Sequence, residues 1–158
     1  MTARLREIAA PDLAGPKVFL REVVEPCQPA VLRGLISDWP VVAAAAHSPA
    51  RFRDYVSQFD GGIQTEAFFG EPRIAGKYYY REDLQGFNFE RRRMSFIGAL
   101  DAILASIDHP GAQSVYIGSV PTDDCLPGFS AQNVLSLLQP GVAARIWLGN
   151  ASNVSLHY

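Results

Sequence analysis

The sequence predicts an α+β domain, on three observations. Helix-like periodicity comes first along the chain, and strand-like alternation becomes denser toward the C-terminus. Helices and strands do not alternate in the βαβ order of a doubly wound sheet. The 158 residues suit a single domain, 1–158, and are enough to bury roughly 68–70% of the unfolded surface.

The elements follow in order. Lys17 to Val24 reads as a short helix ended by Glu25-Pro26, and Pro29 to Arg33 as a strand closed by Gly34. Asp38-Trp39-Pro40 opens an alanine-rich turn or helix through Ala46. Ser48-Pro49 predicts a helix start, because serine caps free N–H groups and proline suits the first position. Phe52, Tyr55, Val56 and Phe59 then form one apolar face, and Gly61-Gly62 stops the helix. Ile63 to Phe69 and Tyr78-Tyr79-Tyr80 read as strands, and Gly86 to Arg93 as a loop. Ser95 caps a helix whose inner face is Phe96, Leu100, Ile103, Leu104 and Ile107. Ser114 to Gly118 is a strand, Pro121 to Phe129 a loop, and Ser130 to Leu138 a short helix capped by Ser130. Ala144 to Leu148 and Asn153 to Tyr158 are strands.

Composition narrows the class. Apolar residues make up 48% and charged residues 19%, which excludes a disordered, collagen-like or coiled-coil chain. Fourteen Lys and Arg against 16 Asp and Glu leave a net charge of −2, no basic footprint for nucleic acid. Cys27 and Cys125 lack metal-like spacing and are too few for a disulfide framework, so free thiols in a reducing, cytoplasmic compartment are expected. Met1 to Ala10 has no apolar signal core, and no run is long enough to span a bilayer.

The sharpest candidate for chemistry lies at the end. Val154, Leu156 and Tyr158 alternate with Asn153, Ser155 and His157, giving a strand with one apolar and one polar face. The chain stops inside that strand, which suggests a fragment of a longer domain. Ser155 and His157 share the polar face, and a residue 159 would join them. A His-x-Asp or His-x-Glu pair on one strand offers an imidazole and a carboxylate to one metal. A second histidine would complete the facial triad of non-haem Fe(II) oxygenases. On spacing alone, a single strand histidine is an ordinary structural or surface residue.

Several segments, in order, carry a family resemblance. They are Pro29-Ala-Val-Leu-Arg-Gly-Leu-Ile-Ser-Asp-Trp-Pro40, Gly86-Phe-Asn-Phe-Glu-Arg-Arg-Arg-Met-Ser-Phe96, Val115-Tyr-Ile-Gly-Ser119, Cys125-Leu-Pro-Gly-Phe129 and Ala144-Arg-Ile-Trp-Leu-Gly-Asn150, running into Val154-Ser-Leu-His-Tyr158. The set resembles the cupin-like, JmjC-related Fe(II)/2-oxoglutarate oxygenases, close to the bacterial cupin-like domain proteins and distantly to the asparaginyl hydroxylase of hypoxia-inducible factor. The resemblance implies N-terminal helices and strands leading into a double-stranded β-helix, the jelly-roll of cupins, here truncated mid-barrel. It implies Fe(II) as metal and 2-oxoglutarate as co-substrate. By the same match His157 is the first metal ligand, while Tyr116 and Ser155 contact 2-oxoglutarate; the spacing of Ser155 to the histidine differs by one residue from many relatives. The carboxylate ligand, the second histidine and the base that pairs with the co-substrate would lie beyond residue 158. The chain alone is therefore expected to be inactive, since half a barrel leaves edges and an apolar face open.

The expected activity of the parent protein is hydroxylation or demethylation of a protein side chain, with homodimerisation through regions absent here. Two alternatives stand beside it: a non-catalytic truncated cupin that binds a partner, and a metal-dependent cupin of another chemistry. Other residues have plainer readings. Tyr78, Tyr79 and Tyr80 either line a substrate groove or divide between core and surface. Arg91, Arg92 and Arg93, with Phe87 and Phe89, read as a solvated loop rather than a nucleic-acid patch. His47 and His109 read as non-ligands, and Cys125 lacks a neighbouring histidine to activate it. Arg145 and Trp147 share one face of their strand, with Ile146 and Leu148 on the other; which face points into a barrel is open at this stage.

Overall fold

The computed structural model describes residues 5–107, 109, 111–138 and 141–150. A two-stranded parallel sheet pairs β1 (Arg6–Ala9) with β2 (Ala30–Arg33), Ile8 opposite Leu32. Between them α1 (Pro16–Phe19) continues as a π-helical turn over Leu20–Val24. This strand–helix–strand unit departs from the expectation that no such alternation occurs. The sequence reading overlooked β1 because only Ile8 of its four residues is buried. Ile8, Leu13 and Leu137 form a small second core there.

Helices α2 (Pro40–His47) and α3 (Pro49–Ser57) follow as predicted. The Ser48 hydroxyl accepts from the Arg51 N–H at 3.1 Å, the expected cap. Val56 and Phe59 are buried, and Phe52 and Tyr55 pack against the same core. The Gly61 N–H donates to the Cys125 carbonyl at 2.9 Å. A Cβ at Gly61 would stand 2.8 Å from the Asp124 carbonyl oxygen, so only glycine fits this approach.

The main sheet has four antiparallel strands in the order β4-β3-β5-β6: β3 (Gln64–Gly70), β4 (Phe89–Ser95), β5 (Ser114–Pro121) and β6 (Arg145–Gly149). Helix α4 (Phe96–Ala105) covers one face. Its Phe96, Ala99, Leu100 and Ile103 pack with Ala67, Phe69, Val115 and Ile117, with Ile146 and Leu148 alongside. The Ser95 hydroxyl caps α4 by accepting from the Gly98 N–H at 3.1 Å.

Several expectations need correction. Residues 86–93, read as a loop, contribute most of β4; the arginines hid it, because an exposed edge strand can carry charge at every position. Tyr78-Tyr79-Tyr80 forms no strand, only a single bridge from Tyr80 to Phe87. Ile107 is 51% exposed beyond the end of α4. The loop after β5 holds a helical turn, α5 (Thr122–Cys125). The helix expected over 130–138 is only α6 (Phe129–Gln132), with Gly128 at its N-cap, and the Ser130 hydroxyl donates to Asp123 instead. The strand expected over 153–158 lies outside the described residues.

Candidate functional site

Antiparallel register decides which side chains share the face of the main sheet away from α4. Phe68 stands opposite Arg91 on one side and Tyr116 on the other; Gly70 stands opposite Phe89 and Ser114; Glu66 stands opposite Arg93. Tyr116 in turn faces Gly149. Because Ile146 and Leu148 are held in the core, alternation puts Arg145 and Trp147 on this open face with Tyr116. Ile146 and Leu148 are thus the side of this strand that packs on the core.

The floor of the face is aromatic. Phe68 contacts Phe89 and Tyr116, with ring centroids 5.2 Å and 5.9 Å away. Tyr78 lies over all three, 5.7 Å from Tyr116 and 5.2 Å from Phe89, and its hydroxyl donates to the Phe68 carbonyl at 3.4 Å. Such pairs each add about 0.5–1.5 kcal/mol beyond area burial. Burial raises both the Tyr78 and Tyr116 phenols above the ordinary tyrosine value. Among the described residues the Tyr116 hydroxyl has no hydrogen-bond partner. It is a neutral donor and acceptor standing on an open, partly desolvated surface.

The charges around it are cationic on balance. Arg91 pairs with Glu66 at 2.8 Å, while Arg93 and Arg145 bring further guanidinium groups to the face. Arg145 is tied down: it donates from Nε to the Ser119 hydroxyl at 2.7 Å and from Nη2 to the Ser119 carbonyl at 2.6 Å. Ser119 has φ 50° and sits in a bulge where β5 and β6 shift register between Ile117 and Val120. A bulge bends a strand and re-aims its side chains, and this one is held by Arg145. Arg92 points the other way, its guanidinium 4.2 Å from the Phe69 ring centre and paired with Glu90.

Metal donors are sparse here. Among the described residues no three His, Cys, Asp or Glu side chains group to hold a metal ion. His47 ends α2 and His109 follows α4; both are exposed and far apart in the chain. The described residues therefore do not by themselves fit an iron site. Ser155 and His157 lie outside the described residues. Asn150 is the last described residue before them, and its side-chain oxygen accepts from the Val115 N–H at 2.9 Å.

Cys125 is buried, and desolvation pushes its thiol up to about 11, so it is no nucleophile. The tyrosine triplet divides: Tyr78 joins the open face, while Tyr79 and Tyr80 are 70% and 53% exposed. Sequence reasoning missed Tyr78 as a neighbour of Tyr116, and missed Arg91 and Arg93 on the same face. The signal was the alternation inside 89–95, masked by its charge. No helix among the described residues is long and apolar enough to cross a membrane.

No curated protein matches the chain closely enough to lend it an activity. The model of the cupin-like domain family does match, over residues 16–158, and with nearly the whole length covered this chain belongs to the cupin-like domain family.

Proposed function

We propose that the chain is the N-terminal portion of an Fe(II)/2-oxoglutarate-dependent oxygenase that hydroxylates or demethylates a protein side chain. The observation that supports this most is the unpartnered Tyr116 hydroxyl, half-buried on the open aromatic face of a cupin-like sheet. In this reading the open face is the inner wall of a jelly-roll that further strands complete. Tyr116 and Ser155 hold 2-oxoglutarate, and His157 is a metal ligand whose companions come from outside this chain. Iron and 2-oxoglutarate, when bound, would supply activation of O₂, the oxidant, with 2-oxoglutarate oxidised to succinate and CO₂.

The described residues have their own tasks. Tyr116 is a phenol that burial shifts further toward its neutral form, and it can donate to a carboxylate oxygen. Phe68 and Tyr78 pack against the Tyr116 ring and hold it in place, which fixes where its hydroxyl is presented. The guanidinium groups of Arg91, Arg93 and Arg145 give the face a positive balance suited to an anionic co-substrate.

The test is equilibrium binding of 2-oxoglutarate to the native protein carrying this chain, with and without Fe(II). The reading expects binding that Fe(II) strengthens. Absence of binding under both conditions overturns it and favours the second reading, a non-catalytic binding module. The exposed aromatic hairpin over 77–89 is the observation that supports that alternative.

A further inference from the structure

We infer that Gly118 is a positioning residue for Tyr116: because it carries no side chain, the Tyr116 ring lies down along β5, and this fixes where the hydroxyl is presented. The inference deepens the proposed function by naming what places a co-substrate contact. It rests on that reading only for the identity of the ligand.

Gly118 follows Tyr116 by two residues on β5, so both belong to the open face of the sheet. Phe68 stands across from Tyr116 and is therefore diagonal to Gly118. A Cβ at Gly118 would lie 3.1 Å from Tyr116 Cε1, 3.6 Å from Tyr116 Cζ and 3.5 Å from Phe68 Cε2. The tyrosine atoms nearest to it are thus at the outer end of the ring, and Cζ is the carbon that bears the hydroxyl. The ring leans along the strand with its hydroxyl end over bare backbone.

A glycine inside a strand weakens it and marks a close approach. Here the approach is by two aromatic rings, which shield the exposed backbone. Gly118 is not among the glycines with positive φ, so its backbone does not demand glycine. The ring contact does, because a methyl group at 3.1 Å forces its neighbour to give by a few tenths of an ångström.

Neither side yields easily. Phe68 and Tyr78 pack against the Tyr116 ring, with centroids 5.9 Å and 5.7 Å away, and the Tyr78 hydroxyl is tied to the Phe68 carbonyl at 3.4 Å. The backbone under the ring is anchored by the next residue. Ser119 accepts from Arg145 at its hydroxyl and at its carbonyl, at 2.7 Å and 2.6 Å. A contact group locked from both sides is held in one geometry, as a ligand site requires.

The experiment uses the native protein that carries this chain, with tyrosine rings and glycine isotopically labelled for NMR. The wild type shows a nuclear Overhauser effect between the Tyr116 ring and the Gly118 α-protons. Gly118→Ala shifts the Tyr116 ring signals and leaves those of Tyr79 and Tyr80 in place. The same variant weakens 2-oxoglutarate binding about three- to tenfold, no more than Tyr116→Phe does. In a Tyr116→Phe background there is no hydroxyl to misplace, so Gly118→Ala costs no further affinity. The proposal is overturned if the wild type lacks the Overhauser effect, if the Tyr116 signals do not move, or if the affinity loss is equal in both backgrounds. That last result is what a merely structural glycine gives. A wild type that binds no 2-oxoglutarate removes the oxygenase reading, and the ring signals then decide the role of Gly118 by themselves. If Gly118→Ala does not fold, the Overhauser effect in the wild type decides it.

Discussion

Tyr78 lies over Tyr116 with ring centroids 5.7 Å apart and planes inclined by 36°. The two come from unrelated parts of the chain: Tyr116 from the middle of β5, Tyr78 from the segment before the hairpin. Their packing fixes the Tyr116 ring on the open face, where its hydroxyl has no partner among the described residues and is available to a ligand.

Tyr116→Phe removes the hydroxyl and keeps the ring packing. A hydrogen bond to a charged group is worth about 1.5–3 kcal/mol, so 2-oxoglutarate affinity falls roughly tenfold or more. Calorimetric titration of the native protein and the variant measures this. Thermal unfolding of the variant stays close to the wild type, because the hydroxyl has no partner among the described residues to lose.

Stability falls at high pH. Burial raises the folded-state values of Tyr78 and Tyr116 above the ordinary 10.0, so the fold prefers both phenols protonated. Their contribution is fully present below about pH 10 and is lost as pH rises through the raised values. Urea unfolding at a series of pH values above and below 10 shows the decline, and Tyr78→Phe makes it shallower.

The two thiols separate kinetically. Cys27 is exposed, whereas Cys125 is buried with its thiol pushed up to about 11. A thiol reagent titrates one cysteine rapidly in the native protein and the second only after urea unfolding. Rapid labelling of both would contradict the packing of Cys125 beneath the Gly61 approach.

Asn133 ties three segments together. Its side-chain oxygen accepts from the Val41 N–H at 3.1 Å, and its amide donates to the Tyr55 hydroxyl at 2.9 Å and the Phe129 carbonyl at 3.0 Å. The residue is 4% exposed. Asn133→Ala strands these groups in a dry site and costs about 1–3 kcal/mol, read from the denaturation midpoint.

The sequence was most legible where one signal sufficed. Ser48 and Ser95 announced their helices by capping chemistry, and both caps form. Strands β3, β5 and β6 were readable from alternation, since each has a face toward α4. It was least legible where charge or aromatic content spoke against burial. Strand β4 sits at a sheet edge with Arg91, Arg92 and Arg93 all exposed, so no apolar period marks it. Without β4 its register to β3 was invisible, and with it the placing of Arg91 and Arg93 beside Tyr116. Tyr116 itself was singled out by resemblance; its surroundings depend on Phe68 and Tyr78, contacts that no local pattern encodes.

The most direct test of the central claim is Fe(II)-dependent release of succinate from 2-oxoglutarate by the native protein that carries this chain, compared with its His157→Ala variant. The expected result is succinate release by the wild type that requires Fe(II), and its loss in the variant. Equal release by both proteins, or none by the wild type when its peptide substrate is supplied, would contradict it.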